Sequence, residues 1–463
     1  MIKMRYITVA VLVVLSTAAS SSTTDYNNEA IELLKNGEFI TAITYLEYAQ
    51  RTDPTSETIK KNLAIAYNNY GVQLLDEGKA DRALKRFNEA RDLYSDDKGF
   101  RANAAKAYNQ LAIEALAEEN FIVAENHLYT AIRLEPKETA IRKNLSVCLT
   151  KYGVTYYEKK EYELARGKFA DAISFDETNA TAHAYLGNTY YYTQDLQRAV
   201  ASFQNALEHD PDMEYARERI DSLKKEMSVE GGFTNSKYNI FKILYNSKNG
   251  KVNIESIEQA LWDAYYGIGS MFQHYTQHTV IVILYTPEEF KEIRDAPNWV
   301  AGLYDGKIRI PYPEGRSIEE VERIIRHEYT HVIINDLSDG KCINWLNEGL
   351  ARTMEQLPGD KHSPSYRTLI QAYQEGTLID LDDLDKNFIY TEDPKKAALA
   401  YEQSSTLVAF IIQRYGLYKC LKMIEDYTAG KTTEEVLKKE FYQDPDQFIS
   451  DWKDYVREYI LNP

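Results

Sequence analysis

Cysteine, net positive charge and long apolar runs are all scarce in this 463-residue chain, and each scarcity excludes a class of protein. Its three cysteines, Cys148, Cys342 and Cys420, are an odd and widely separated set, which rules out a disulfide scaffold. None has a cysteine or histidine neighbour at metal-site spacing, so they read as buried thiols rather than zinc ligands. Should the protein be exported, two of them could pair, and the sequence does not choose which. Lys and Arg total 54 against 71 Asp and Glu, a formal charge of -17. A chain so acidic lacks the basic surface that a phosphate backbone requires, so no nucleic-acid partner is expected. Beyond the first twenty residues no stretch is long and apolar enough to cross a bilayer. With 44% hydrophobic and 27% charged residues, the composition is that of a globular protein, and the length calls for two or three domains.

The first residues have the layout of an export signal. Lys3 and Arg5 precede an apolar run from Tyr6 to Leu15, and Thr17-Ala18-Ala19 offers small residues for cleavage. Residues 1–20 are therefore expected to be a signal peptide and the protein periplasmic or extracellular, anchored only if the signal stays uncleaved. No cysteine follows the small residues, which excludes a lipoprotein. No stable membrane span is expected after cleavage.

Between about 23 and 213 the chain repeats. Ala42, Ala83, Ala124, Ala165 and Ala199 are each followed four residues later by Leu46, Phe87, Leu128, Phe169 or Phe203. Three residues further on stand Ala49, Ala90, Ala131, Ala172 and Ala206. Residues four and seven apart share a helix face, so every unit presents the same small-large-small stripe. Pro54, Pro136 and Pro211 each stand where they would end such a helix. The pattern resembles tetratricopeptide repeats, which implies stacked helix pairs with a protein-binding surface and, on the preceding helices, close-contact positions at Gly71, Ala112, Gly153 and Gly187. It departs from that family's period of about 34 residues. Successive alanines stand 41, 41, 41 and 34 apart, and the seven extra residues, about two helical turns, predict lengthened first helices in three repeats. The many tyrosines here, Tyr190 to Tyr192 among them, suit either a protein interface or the seams between repeats. A helix from Glu214 to about Ser228 would cap the stack, so the repeat domain is placed at 23–227. Gly231-Gly232 then marks a boundary, with a second domain over 231–463.

That second half reads as mixed α and β. Strands are expected at Asn239–Tyr245, Val280–Tyr285 and Lys307–Ile310, the last half-exposed because polar and apolar residues alternate. Pro311 fits a strand end or a sheet edge. A helix is expected from Ile254 to about Met271, and Ser317-Ile318-Glu319-Glu320 resembles a capped start to another. That helix carries His327-Glu328-Tyr329-Thr330-His331. Four residues apart on a helix, both imidazoles face one side and can hold one zinc ion, while Glu328 can address a water on it. Such motifs also occur in inert helices. Seventeen residues after His331, Trp345-Leu346-Asn347-Glu348-Gly349 opens another helix and offers Glu348 as third ligand. Three protein ligands leave the open position that a catalytic zinc needs. Otherwise Glu348 would be a capping or surface carboxylate.

These segments together resemble the gluzincin metallopeptidases, and more narrowly the thermolysin-like peptidase-domain proteins often joined to tetratricopeptide repeats. The likeness runs from about Gly231 to Gly416, and further with less detail. Ala301–Pro311 resembles the strand-bearing segment ahead of the zinc helix, and Tyr401-Glu402-Gln403-Ser404-Ser405 the start of a later active-site helix. The resemblance implies an all-α repeat solenoid followed by an α+β thermolysin-like domain. It implies one catalytic Zn2+ on His327, His331 and Glu348, with Glu328 as general base and then acid, and a peptide or protein substrate. It also offers Tyr401 as oxyanion donor, a residue that could equally serve packing. Asp336 and Asp339 could orient a liganding histidine or shape the turn before Gly340. Lys307–Ile310 could hold an extended substrate on a free edge or merely complete the sheet. Leu407–Ile412, Glu434–Phe441 and Pro445–Ile460 read as supporting helices, Trp452 among their packing residues. The expected function is zinc-dependent peptide hydrolysis, with the repeats recruiting a partner or substrate. The rival is a non-enzymatic envelope assembly or scaffold protein with an inert peptidase-like domain.

Overall fold

The computed structural model describes residues 23–247, 253–293, 302–313, 315–355, 366–386 and 393–461. The expected signal peptide at 1–20 lies outside the described residues, and among those described no helix is long and apolar enough to cross a membrane. Contacts divide the described chain into two compact units. One holds the residues up to Tyr157 with Glu163–Leu186, and the other holds Glu158–Tyr162 with everything from Gly187 onward.

The first unit is built from helices α1 (Thr23–Lys35), α2 (Phe39–Thr52), α3 (Glu57–Asp76), α4 (Ala80–Leu93), α5 (Lys98–Ala117), α6 (Phe121–Leu134), α7 (Thr139–Glu158), α8 (Tyr162–Phe175) and the start of α9 (Ala180–Tyr192). The large member of each repeat stripe is fully buried, Leu46, Phe87, Leu128 and Phe169 alike. Each contributes about 2 kcal/mol by leaving water. The close-contact positions explain themselves. A Cβ on Gly71 would lie 2.5 Å from Phe87 Cε1, and one on Gly153 2.6 Å from Phe169 Cε1. Helices α3, α5 and α7 have 20 residues each, whereas α9 has 13. The seven extra residues all precede the close-contact position, as the 41-residue spacing predicts. They also carry a polar ladder. Asn62 donates to Asn27 Oδ1 (2.8 Å), Asn103 to Asn68 (2.8 Å) and Asn144 to Asn109 (2.7 Å). Each part-buried amide thus finds its partner one repeat away, which penalises a slip in register.

The second unit contains the rest of α9, then α10 (Leu196–His209) and α11 (Glu214–Glu230). Next come β1 (Thr234–Tyr238), β2 (Phe241–Tyr245), α12 (Ile254–Phe272), β3 (Val280–Tyr285), α13 (Pro287–Ile293), β4 (Leu303–Tyr304) and β5 (Ile308–Pro311). Helices α14 (Ile318–Ser338), α15 (Asn344–Met354), α16 (Arg367–Glu375), α17 (Leu381–Leu384), α18 (Pro394–Tyr415), α19 (Leu417–Thr428), α20 (Thr433–Phe441) and α21 (Pro445–Val456) complete it, before a π-helical turn at Arg457–Leu461. The sheet has the order β1-β2-β3-β5-β4, parallel through β2, β3 and β5 and antiparallel at both edges. Strand alternation sends Phe241, Val282 and Ile310 into the large core with α12 and α14, and Leu244, Ile283 and Tyr285 to the opposite face with Phe290 of α13. Trp452 is fully buried in the large core, as a packing residue should be.

Two strand expectations need correction. The edge beside β5 is occupied by β4, which pairs Leu303 with Arg309 and Tyr304 with Ile308, so β5 is interior there. Nor is Lys307–Ile310 half-exposed: Lys307 and Arg309 are both fully buried. Their charges are met by Glu226 and Glu230 of α11, which covers this face, so an alternating pattern produced two buried faces instead of one. Asn239, expected as the first residue of a strand, instead turns at φ 54° between β1 and β2, and the hairpin partner β1 had no signal in the sequence.

Candidate metal centre and active site

Helix α14 starts where Ser317 accepts a hydrogen bond from the Glu320 N–H (3.2 Å). Its residues Val321, Ile325, Tyr329, Val332 and Ile333 are fully buried in the core. That anchoring fixes the rotation of the helix, and with it the direction of His327, Glu328 and His331. Helix α15 brings Glu348 to the same place. It packs so tightly on α18 that a Cβ on Gly349 would collide with the Ser404 carbonyl oxygen and lie 2.5 Å from Val408 Cγ2.

His327, His331 and Glu348 each direct one ligand-type atom to a common point, all within 4.8 Å of one another. The two Nε2 atoms are 3.2 Å apart, and Glu348 Oε2 lies 3.5 Å and 3.6 Å from them. Behind the rings, His327 Nδ1–H donates to Glu355 Oε1 (2.7 Å) and His331 Nδ1–H to Asn347 Oδ1 (2.9 Å). Because both partners are acceptors, each ring carries its hydrogen on Nδ1 and presents Nε2 to the centre. Glu348 Oε2 is buried and has no hydrogen-bond donor. Two imidazole Nε2 atoms and a carboxylate oxygen thus converge on one point, an arrangement that calls for a positive charge there, a proton on His327 or a metal cation in its place. The donor set, two nitrogens and one oxygen, suits Zn2+.

The electrostatics agree. Burial acts to lower His327, yet the neighbouring carboxylates of Glu348 and Glu355 outweigh it and hold the imidazole up at about 10. The pocket therefore favours one positive charge. At His331 burial prevails over Glu348 and the shift is downward. Burial acts to raise the Glu348 carboxyl, but His331 and His327 bring it below its ordinary value. Glu328 is buried beside them without such a partner, and burial, reinforced by Glu348 and Glu355, pushes it up to about 8 against the opposing effect of His327. On α18, the Tyr401 phenol is raised by burial and then by Glu348 and Glu328, so its hydroxyl keeps its proton.

Residues 297–458 match the family model of the Peptidase MA superfamily. Residues 180–213 match a tetratricopeptide repeat model. Solved structures similar to the chain are repeat proteins. The TPR domain of Arabidopsis OM64 is 19% identical, over 27% of this chain and 98% of its own, with a TM-score of 0.22. A TPR repeats protein from Bacteroides fragilis is 14% identical, over 45% and 100%, with a TM-score of 0.32. The first TPR of Spaghetti, bound to an HSP90 peptide, is 13% identical over 27% and 98%, with a TM-score of 0.22. Comparison with curated proteins returned no match.

The peptidase-like segment includes three residues with roles that sequence reasoning missed. Glu355 stands two turns beyond Glu348, where it bonds His327 and is itself held by Arg352 Nη1 at 3.0 Å and 2.9 Å. Asn347, the residue before Glu348, holds His331. Gly302 approaches Glu328 so closely that a Cβ there would collide with Oε1. Asp336 and Asp339, by contrast, orient neither liganding histidine. Asp336 is bound by Lys160, Thr276 and His278 Nε2 (3.0 Å), and Asp339 closes α14 in the left-handed conformation at φ 49°. Asp336 lies five residues past His331, more than one helical turn along, which aims it away from the centre. The three cysteines are free thiols, Cys148 and Cys420 buried and Cys342 half-buried.

Proposed function

We propose that this protein hydrolyses peptide bonds with zinc held by His327, His331 and Glu348. The observation that carries the reading is the convergence of two Nε2 atoms on a buried Glu348 oxygen that has no donor. A bound zinc would supply Lewis acidity to a water and to the scissile carbonyl. Beside that positive charge the Glu328 carboxyl, held up at about 8 by burial and by Glu348 and Glu355, would ionise more readily, accept the proton from the attacking water and return it to the departing amine, with no net proton change. Tyr401, keeping its hydroxyl proton, donates a hydrogen bond to the carbonyl oxygen as charge grows on it. Glu355 and Asn347 hold the two imidazoles in the tautomer that binds metal. The match to the Peptidase MA superfamily supports peptide as the substrate class. In this reading the repeats recruit a protein partner or substrate, and the protein works outside the cytoplasm.

The test compares full-length wild type with Glu328→Gln for bound zinc and for cleavage of a mixed peptide library. Expected are one zinc per chain in both proteins and cleavage by wild type alone, with the variant slowed about 100-fold or more. Wild type that folds but takes up no zinc, or a variant that cleaves as fast as wild type, would overturn the proposal.

A further inference from the structure

The β4–β5 hairpin, whose leading residue Gly302 lies against Glu328, is gripped from its other side by residues upstream of Gly231. Lys307 Nζ sits 3.6 Å above the Tyr191 ring and donates to Gln194 Oε1 (2.5 Å). Arg309 bonds Glu230 Oε1 (3.1 Å), Glu226 Oε2 (3.1 Å) and the Tyr191 hydroxyl (3.0 Å). At the turn, Gly306 has φ +90° and no side chain, and a Cβ there would lie 2.5 Å from Tyr192 Cε1. Tyr192 is in turn stacked on Tyr162, centroids 5.3 Å apart and planes within 5°. All of these residues belong to the one compact unit that contains the metal centre.

Buried ions forbid small slips. Moving the hairpin would strand the fully buried Arg309 away from Glu226 and Glu230, and an uncompensated buried charge is strongly unfavourable, while Lys307 would lose Tyr191 and Gln194. The turn cannot advance either, since the Tyr192 ring fills the space beside Gly306. The hairpin has one allowed position, and that position sets the backbone of Gly302 against Glu328. We infer that Tyr191, Tyr192 and Glu226 are positioning residues that fix this hairpin as a wall of the active site. The catalytic unit therefore begins upstream of Gly231 and includes the last repeat's closing helices. The kinetic consequence rests on the peptidase reading, whereas the mechanical one does not.

The test uses full-length, zinc-loaded protein in three forms: wild type, Tyr192→Ala and Tyr192→Phe. Hydrogen–deuterium exchange is followed in peptides covering 302–311 and in those covering α14, and kcat and KM are measured on a peptide that wild type cleaves. Loss of the ring should speed exchange in 302–311 by about tenfold while α14 and the zinc content stay unchanged. It should also lower kcat/KM by at least about tenfold, because a misplaced wall degrades orientation. Tyr192→Phe keeps the ring that fills the space beside Gly306 and should retain most of the wild-type protection at 302–311 and most of kcat/KM. Unchanged exchange at 302–311 in Tyr192→Ala would overturn the clamp. Faster exchange with wild-type kcat and KM would overturn its role in catalysis. If wild type cleaves nothing, the peptidase reading fails, and the exchange result still decides whether the clamp exists.

Discussion

Gly302 presents bare backbone to Glu328, and a single methyl group at that position would occupy the space of the carboxylate Oε1. The same methyl would lie 2.9 Å from Ile324 Cγ2, so it is crowded on that side as well. Gly302→Ala should therefore displace the general base while leaving the metal ligands in place. We expect zinc content to hold at one per chain and kcat/KM to fall about 100-fold, the scale of a misplacement near 1 Å. A variant with full zinc and wild-type kcat/KM would remove Gly302 from the account.

Glu355 should matter to the metal more than to the fold. It is shared between His327 Nδ1 and the Arg352 guanidinium, and neither contact lies in the hydrophobic core. Glu355→Ala frees the His327 ring to rotate and lets its proton move to Nε2, where it would compete with the metal. Zinc affinity measured against a competing chelator should weaken about 10–100-fold. Equal affinity in the two proteins would mean that Asn347 and packing suffice to hold the pair.

How far the sequence reached can be traced residue by residue. The repeat stripe and the 41-residue spacing were legible because a helix converts periodicity directly into one face, so Gly71 and Phe87 meet as their positions predict. His327 and His331 were legible for the same reason, being one helical turn apart, and Glu348 from its place at the start of the next helix; the structure brings the three together. Glu355 was not, because nothing local distinguishes it from the many other glutamates of this acidic chain. Lys307 and Arg309 misled, since alternation signals water on one side only when no charged helix covers it. The extent of the second unit was hidden as well. Gly231-Gly232 looks like a linker, yet Glu226 and Glu230 just before it close ion pairs with a strand about 80 residues later.

The repeats offer a control in which one substitution should act with opposite signs. Gly153 and Gly167 sit on neighbouring helices, α7 and α8. A Cβ on Gly153 would press into Phe169, whereas one on Gly167 meets nothing within 4 Å. Gly153→Ala should destabilise by about 1–3 kcal/mol through overpacking. Gly167→Ala should stabilise by up to about 1 kcal/mol through helix propensity and reduced unfolded-state entropy. Urea denaturation of the full chain separates the two. A Gly153→Ala midpoint at or above that of wild type would refute the close helix contact at Gly153.

Lys307 makes stability depend on pH in a predictable direction. Burial lowers its ammonium from 10.5 to about 7, with Glu226 opposing the shift and Arg309 adding to it. Between those two values the unfolded chain carries a proton that the folded chain lacks. Stability from this group therefore rises as pH climbs from about 7 to about 10, and stays at its lower level below pH 7. Lys307→Met keeps an apolar stem over Tyr191 and leaves Glu226 with Arg309, so its charge remains compensated. Comparing denaturation midpoints of wild type and variant across that range cancels the cysteines and tyrosines that titrate in both. Wild type should gain on the variant steadily from pH 7 to pH 10. A difference that stays flat with pH would show that Lys307 keeps its ordinary affinity for a proton, and that Glu226 fully offsets its burial.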